Sequence, residues 1–137
     1  MKTSARNQFN GKIVECNSGA VMTEIKVEVS KEVHICATVT NGGKESLGLK
    51  IGDSVGAIIK ASSIILSKTL LKATARNNIK GTVTEVIKGA VNSEVKIAVG
   101  STALCAIVTN DAVDDLAIKT NDTVYAIFKA SSVILVA

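Results

Sequence analysis

The stretch Ala57-Ile58-Ile59-Lys60-Ala61-Ser62-Ser63-Ile64-Ile65-Leu66 is an apolar, strand-like run that one cation and two hydroxyls interrupt. It returns near the end of the chain as Ala126-Ile127-Phe128-Lys129-Ala130-Ser131-Ser132-Val133-Ile134-Leu135. The interruption is too short for a flexible loop, so the apolar halves must hold the Lys-Ala-Ser-Ser step in a fixed shape. Lysine, serine and backbone N–H groups all donate hydrogen bonds, which suits an oxyanion that offers only acceptors. The alternative is a strand bulge with the lysine pointing to water.

Composition bounds the class of protein. The chain has 137 residues, a net charge of +4 and 47% hydrophobic residues, with no proline and almost no aromatics. An apolar content carried by valine, isoleucine and alanine favours short, tightly packed strands. The cations are scattered rather than clustered, so a nucleic-acid partner is not expected. Three cysteines without a Cys-x-x-Cys pair argue against a disulfide framework.

The first seven residues contain no apolar segment of the kind that a signal peptide requires. No apolar run approaches the length that crosses a bilayer. We therefore expect a soluble, cytoplasmic protein without a membrane partner.

The chain is an internal duplication. Ser4-Ala5-Arg6-Asn7 returns as Thr74-Ala75-Arg76-Asn77, and Gly19-Ala20-Val21 returns as Gly89-Ala90-Val91. The same alignment pairs Val39-Thr40-Asn41 with Val108-Thr109-Asn110 and Lys60 with Lys129. It predicts a first module at residues 1–67, a short linker at 68–72 and a second module at 73–137.

Each module has the pattern of a small barrel. Residues 23–29 alternate, with Ile25, Val27 and Val29 on one face of a half-buried strand. Short helices are predicted at 44–49 and 112–118, the second capped by Asn110-Asp111. Five short strands with a helix between the third and fourth predict an all-β fold. The expected architecture is two tandem OB-like five-stranded Greek-key barrels, each with one short helix.

Three motifs occur twice in the same order: Ser/Thr-Ala-Arg-Asn, Gly-Ala-Val-x-x-Glu and Lys-Ala-Ser. Together they resemble the Mop module, the molybdate-binding domain of molbindins and of molybdate-responsive regulators. Two copies resemble a di-Mop molbindin over essentially the entire chain. The resemblance implies a cytoplasmic protein, not an enzyme, that stores and buffers molybdate, and by the same chemistry tungstate, as its bound ligand. It also implies a homo-oligomer, a homotrimer of two-module chains.

By resemblance, two groups of donors meet at a subunit or module interface and enclose one oxyanion through hydrogen bonds, without direct ligation of the metal. The arginines supply planar forks of N–H donors, and the lysines supply charge. The implied oxyanion-binding residues are Ser4, Arg6, Lys60, Ala61, Ser62, Thr74, Arg76, Lys129, Ala130 and Ser131. Taken alone, either arginine is equally well read as a surface salt bridge or an interface contact.

A second class of oxyanion site is implied near the molecular threefold axis. Its candidate residues are Gly19, Ala20, Val21, Gly89, Ala90, Val91 and Asn92. A glycine-led turn can expose N–H groups to an anion, although an ordinary hairpin turn is an equal alternative. Met22 replaces the asparagine that the family has and that Asn92 keeps, so the second turn is expected to bind first.

Two other functions compete with oxyanion binding. An OB-type nucleic-acid binder would need stacking aromatics and a continuous basic groove, and this chain has neither. A ligand-sensing interaction module is the other alternative, but a transcription regulator would need a DNA-reading element for which these residues leave no room. No nucleophile–base pair or metal-ligand cluster is evident, so no catalytic residue is assigned.

Overall fold

A computed structural model describes residues 2–137, which form ten strands, two short α-helices and two single turns of 3-10 helix. In the first half of the chain the elements are β1 Asn7–Ser18, β2 Met22–Ser30, β3 Val33–Thr40, α1 Asn41–Leu47, β4 Ser54–Ile59 and β5 Ile65–Ser67. In the second half they are β6 Asn77–Lys88, β7 Asn92–Val99, β8 Thr102–Thr109, α2 Asn110–Asp115, β9 Thr123–Phe128 and β10 Val133–Val136. The 3-10 turns, Ala61–Ser63 and Ala130–Ser132, precede β5 and β10.

The strands form two antiparallel five-stranded sheets that curl as half-barrels. The first sheet has the order β10-β4-β1-β2-β3, and the second has the order β5-β9-β6-β7-β8. A short α-helix lies between the third and fourth strand of each repeat, where the sequence predicts it. This confirms the predicted fold class of two tandem OB-like β domains.

The two compact units do not coincide with the sequence modules 1–67 and 73–137. One unit contains the residues up to Ile59 together with Lys129–Ala137, and the other contains Lys60–Phe128. In the first unit, β10 pairs with β4, so that Val133 lies opposite Ile59. In the second, β5 pairs with β9, so that Ile65 lies opposite Ile127. Each Lys-Ala-Ser-Ser step therefore carries the chain out of the sheet of its own repeat and into the other.

The first strand of each repeat is long because it pairs on both sides. β1 pairs with β4 from Asn7 to Lys12 and with β2 from Lys12 to Ser18, with a shift of register between Ile13 and Glu15. Gly11 lies where the strands come closest, since a Cβ there would be 2.5 Å from the Glu28 carbonyl oxygen. No other residue fits this close approach without a shift of the neighbouring backbone.

The core of each sheet follows the alternation in the sequence. Ile25 and Val27 are fully buried, whereas Lys26 between them is only half-buried. Val29 departs from the prediction because it is only partly buried. The pairing of β2 with β3 shifts register between Glu28 and Ser30, and this irregularity ends the strict alternation.

The α-helices begin earlier than predicted, and their caps are different. Thr109, not the Asn110-Asp111 pair, caps α2, with its side-chain oxygen accepting the Ala112 N–H at 3.1 Å. Thr40 caps α1 in the same way, accepting the Gly43 N–H at 3.0 Å. The threonine hydroxyl satisfies an N–H group that the first turn leaves unpaired. The asparagine side chain is thereby left for another contact.

None of the helices within residues 2–137 has the length and apolar character of a membrane span.

Candidate functional site

Both Lys-Ala-Ser-Ser steps have the same backbone geometry. The Ser63 N–H donates to the Lys60 carbonyl at 3.0 Å, and the Ser132 N–H donates to the Lys129 carbonyl at 3.0 Å. The lysines on the N-terminal side are extended, with Lys60 at φ −64° and ψ 134°. The interruption is therefore a single turn of 3-10 helix between two strands and not a strand bulge.

Each of these turns carries several exposed hydrogen-bond donors. Lys60 and Lys129 are exposed, and within residues 2–137 neither forms an ion pair. The alanines that follow them are buried, which anchors the backbone of both turns. The first N–H groups of a 3-10 turn have no acceptor inside the turn. The exposed hydroxyls of Ser62 and Ser131 add a donor beside each lysine.

The arginine segments precede the first strand of each repeat. Ser4 and Arg6 lie just before β1, and Thr74 and Arg76 lie just before β6; all four are exposed. The next residue in each case, Asn7 or Asn77, is buried and begins a strand.

Strand register brings the first arginine segment to the turn of the second repeat. Asn7 and Val133 both lie opposite Ile59, one on each side of β4. Arg6 and Ser132 are each one residue before these positions, on strands that run in the same direction. Strands on the two sides of a shared neighbour are about 9–10 Å apart. Arg6 and the 129–131 turn therefore lie at the same end of the first sheet.

The second sheet repeats this arrangement. Asn77 lies opposite Phe128, and Ile65 lies opposite Ile127 on the other side of β9. Arg76 and the 60–62 turn thus lie at the same end of that sheet. In each compact unit, the arginine of one repeat lies at the same end of the sheet as the Lys-Ala-Ser turn of the other repeat. The order of the motifs along the chain does not reveal this exchange.

The Gly-Ala-Val segments are tight hairpin turns. The Gly19 N–H donates to the Met22 carbonyl at 2.8 Å, and the Gly89 N–H donates to the Asn92 carbonyl at 2.8 Å. Val21 at the tip is 70% exposed. Within residues 2–137, the Ala20 and Val21 N–H groups make no hydrogen bond to a protein acceptor. The same is true of Ala90 and Val91, so each turn leaves two adjacent donors open.

An asparagine that the site prediction omits holds each of these turns. The Asn41 side-chain amide donates to the Gly19 carbonyl at 3.0 Å, and its oxygen accepts from the buried Thr23 hydroxyl at 2.6 Å. Asn110 does the same for Gly89 and Ser93, at 3.0 and 2.5 Å. The repeated Val-Thr-Asn sequence at the start of each helix is the sequence feature that could have predicted this role. Its threonine caps the helix, and its asparagine ties the helix to the turn.

The predicted site residues share one kind of chemistry. Within the described residues, no three His, Cys, Asp or Glu side chains are grouped so as to hold a metal ion. The residues predicted to bind the anion at the sheet ends and hairpin turns offer cations, hydroxyls and backbone amides. Such a set can hold a fully ionised oxyanion by hydrogen bonds to its oxygens.

The family model of the TOBE domain matches residues 3–66 and again residues 73–135. The chain belongs to the TOBE domain family. Its two TOBE domains follow the sequence repeat, whereas its compact units follow the strand exchange.

Similar proteins are molybdenum-related. The molybdenum transport protein ModE of Herbaspirillum seropedicae is 39% identical over 138 residues, which cover 98% of this chain and 51% of ModE. ModE of Azotobacter vinelandii is 40% identical over 137 residues, and this match also covers 51% of ModE. The chain therefore spans about half the length of these curated relatives. A probable molybdenum-pterin-binding protein of Haemophilus influenzae is 35% identical over 66 residues, 48% of this chain and 96% of that protein.

A solved structure matches the whole chain. The cytoplasmic molybdate-binding protein ModG, crystallised with molybdate bound, superimposes with a TM-score of 0.94 at 37% identity. The match covers 98% of both chains. It confirms the tandem OB-like architecture and the predicted resemblance to di-Mop proteins. The names of these relatives describe binding and transport rather than catalysis, as the sequence predicts.

Proposed function

We propose that this protein binds molybdate reversibly and non-covalently. The observation that supports the proposal most strongly is the twice-repeated Lys-Ala-Ser turn within a fold that matches molybdate-bound ModG along its whole length. Molybdate at neutral pH carries two negative charges and no proton, so it needs donors on all sides. A protonated phosphate would instead gain from a carboxylate acceptor in the pocket.

The principal sites use the two donor groups that each sheet gathers at one end. In the first unit the donors are Ser4, Arg6, Lys129, Ala130 and Ser131. In the second they are Lys60, Ala61, Ser62, Thr74 and Arg76. The lysine supplies charge, the arginine a planar fork of donors, and the serine hydroxyl and alanine N–H complete the shell. The Gly-Ala-Val turns form a second class of site through their open backbone N–H groups.

In this proposal the protein stores and buffers molybdate in the cytoplasm, and the same donors bind tungstate. Tungstate is also a tetrahedral dianion, so a shell of charge-assisted hydrogen bonds accepts both ions. No covalent step or metal ligation is required, and release needs only the loss of hydrogen bonds. This reversibility suits a protein that holds an oxyanion in reserve.

The working form is a homotrimer of two-module chains. The small size of each module supports an oligomer, since a small domain buries a limited share of its apolar surface and association can cover large apolar side chains that stay exposed. Those more than 60% exposed are Val21, Ile51, Ile65, Leu70 and Val91. Light scattering at micromolar concentration tests this part of the proposal, and a stable monomer would exclude it.

Thermal shift measurements test ligand class directly. We expect molybdate and tungstate to raise the unfolding temperature, because a ligand that binds only the folded state stabilises it. Sulfate, phosphate and a short single-stranded oligonucleotide at equal ionic strength serve as comparisons. A shift with the oligonucleotide alone would support the nucleic-acid alternative. No shift with either tetrahedral metal oxyanion would overturn the proposal.

A further inference from the structure

The two Gly-Ala-Val turns share one backbone geometry but have different electrostatic surroundings. Asn41 ties α1 to the first turn, and Asn110 ties α2 to the second, each at 3.0 Å. The charged residues of these helices therefore lie close to the turns. They differ strongly between the two repeats.

The helix beside the first turn carries a cation held toward that turn. The Lys44 ammonium lies 3.4 Å from the Ser18 hydroxyl, and Ser18 immediately precedes Gly19. The Ser18 hydroxyl is in turn 3.1 Å from the Thr23 hydroxyl, which donates to Asn41. Lys44 is half-buried, and it forms no ion pair with a carboxylate of residues 2–137. Its charge is therefore available to an anion at the turn.

One acidic residue on α1 has to be weighed against this charge. Glu45 follows Lys44 directly, is exposed and makes no ion pair among the described side chains. Neighbouring residues on a helix do not face each other, so Glu45 points away from the direction of Lys44. The first turn thus has an unneutralised cation beside it.

The second turn has the opposite environment. α2 contains Asp111, Asp114 and Asp115 and no basic residue. The position equivalent to Lys44 is Val113, which is buried. A cation is present at Lys88, but its ammonium is paired with the Asp114 carboxylate at 2.5 Å. Asp111 and Asp115 form no ion pair among the described side chains, so α2 adds net negative charge to the helix that is tied to this turn.

We infer that Lys44 is a specificity-determining residue that makes the first Gly-Ala-Val turn the preferred second-class oxyanion site, while the acidic α2 disfavours the second. This inference rests on the proposed function. It reverses the order expected from Met22 and Asn92, where the second turn has one more amide donor. A full charge that acts on a dianion outweighs one neutral donor that water can replace. The preference should weaken with salt, because Lys44 is only half-buried.

The experiment is a sodium molybdate titration of the full chain, followed through backbone amide resonances at constant ionic strength. We expect the Ala20 and Val21 amides to respond at about tenfold lower molybdate concentration than those of Ala90 and Val91. Lys44→Ala should reduce this difference, because the acidic α2 still disfavours the second turn, and Lys44→Arg should keep it. Asp111→Gly with Asp114→Asn should lower the concentration at which Ala90 and Val91 respond.

The outcomes separate this inference from the proposed function. If amides 60–62 and 129–131 respond but Ala90 and Val91 respond first, or Lys44→Ala changes nothing, only the inference is overturned. If those amides respond and neither Gly-Ala-Val turn does, the turns are only hairpins and the inference is again overturned. If no amide responds to molybdate, the proposed function itself fails.

Discussion

Val133 lies directly opposite Ile59 in an antiparallel ladder, although the two residues belong to different sequence repeats. The same exchange puts Ile65 opposite Ile127 in the other sheet. Val133 is buried together with Leu135, so β10 contributes apolar contact to the first unit and not to its own repeat. Each sheet is therefore complete only when both repeats are present.

Removing Lys129–Ala137 should destabilise the first unit, not the second. The truncation takes β10 from β4, which exposes the edge of Ser54–Ile59 and the core that Val133 and Leu135 cover. We expect faster amide hydrogen exchange in β4 and β3, while β9 keeps its protection because both of its neighbours remain.

A chain lacking only Ala137 controls for the loss of the terminus, since Ala137 lies outside β10. Faster exchange in Thr123–Phe128 with unchanged exchange in Ser54–Ile59 would mean that β10 stabilises its own repeat, contrary to the strand exchange.

Asn41 should be required for stability. Asn41→Ala removes the acceptor of the buried Thr23 hydroxyl, which keeps only Ser18 as a partner, and the side-chain donor to the Gly19 carbonyl. The loss of such a pair costs about 1–3 kcal/mol of the free energy of unfolding. Urea denaturation measures this difference. Asn17→Ala, at an exposed asparagine on β1, is the matched control and should change stability much less. Equal effects of the two variants would exclude a special role for Asn41.

Acid should remove the contribution of the Asp122 carboxylate to the free energy of unfolding. The Lys119 N–H donates to its carboxylate at 3.0 Å, and Lys68 lies 3.3 Å away; the backbone hydrogen bond is the larger cause of its lowered pKa. A group with a lowered pKa stabilises the folded state above its ordinary pKa and loses that effect as pH falls through the folded value. Asp122→Asn should therefore reduce stability at pH 7, with the difference from the native chain shrinking below about pH 4.

The control for this prediction is Asp115→Asn, at an exposed carboxylate without an ion pair in the part of the chain that the structure describes. Its free energy of unfolding should follow that of the native chain at every pH. A difference for Asp122→Asn that persists undiminished at pH 3 would contradict an electrostatic role.

The sequence predicts the local elements well because each has a local cause. Alternation predicts the half-buried face of β2, and the repeated Lys-Ala-Ser-Ser step predicts the break between β4 and β5. The TOBE domain matches at 3–66 and 73–135 bear out the duplication. The prediction that Val29 is buried was wrong because the ladder shifts register there, and this shift depends on the partner strand.

The strand exchange could not be read from the sequence. β5 and β10 share the pair Ile-Leu, as Ile65-Leu66 and Ile134-Leu135, so the side chains alone do not favour β4 or β9 as the partner of either. The direction in which the chain leaves the Lys-Ala-Ser turn decides the partner, and this is a tertiary property. The caps were missed for a local reason, since Thr40 and Asn41 are both good N-caps and only the structure shows which one acts.

Molybdate titration calorimetry of the Lys60→Ala, Lys129→Ala and double variants tests the central claim most directly. A charge-assisted hydrogen bond to a dianion contributes about 1.5–3 kcal/mol, so each single change should weaken its own site about tenfold or more. The double variant should lose binding at both, while its unfolding temperature without ligand stays that of the native chain. Lys31→Ala, at an exposed lysine in the turn after β2, controls for the loss of charge. Native affinity in the double variant would contradict the claim that the Lys-Ala-Ser turns hold the oxyanion.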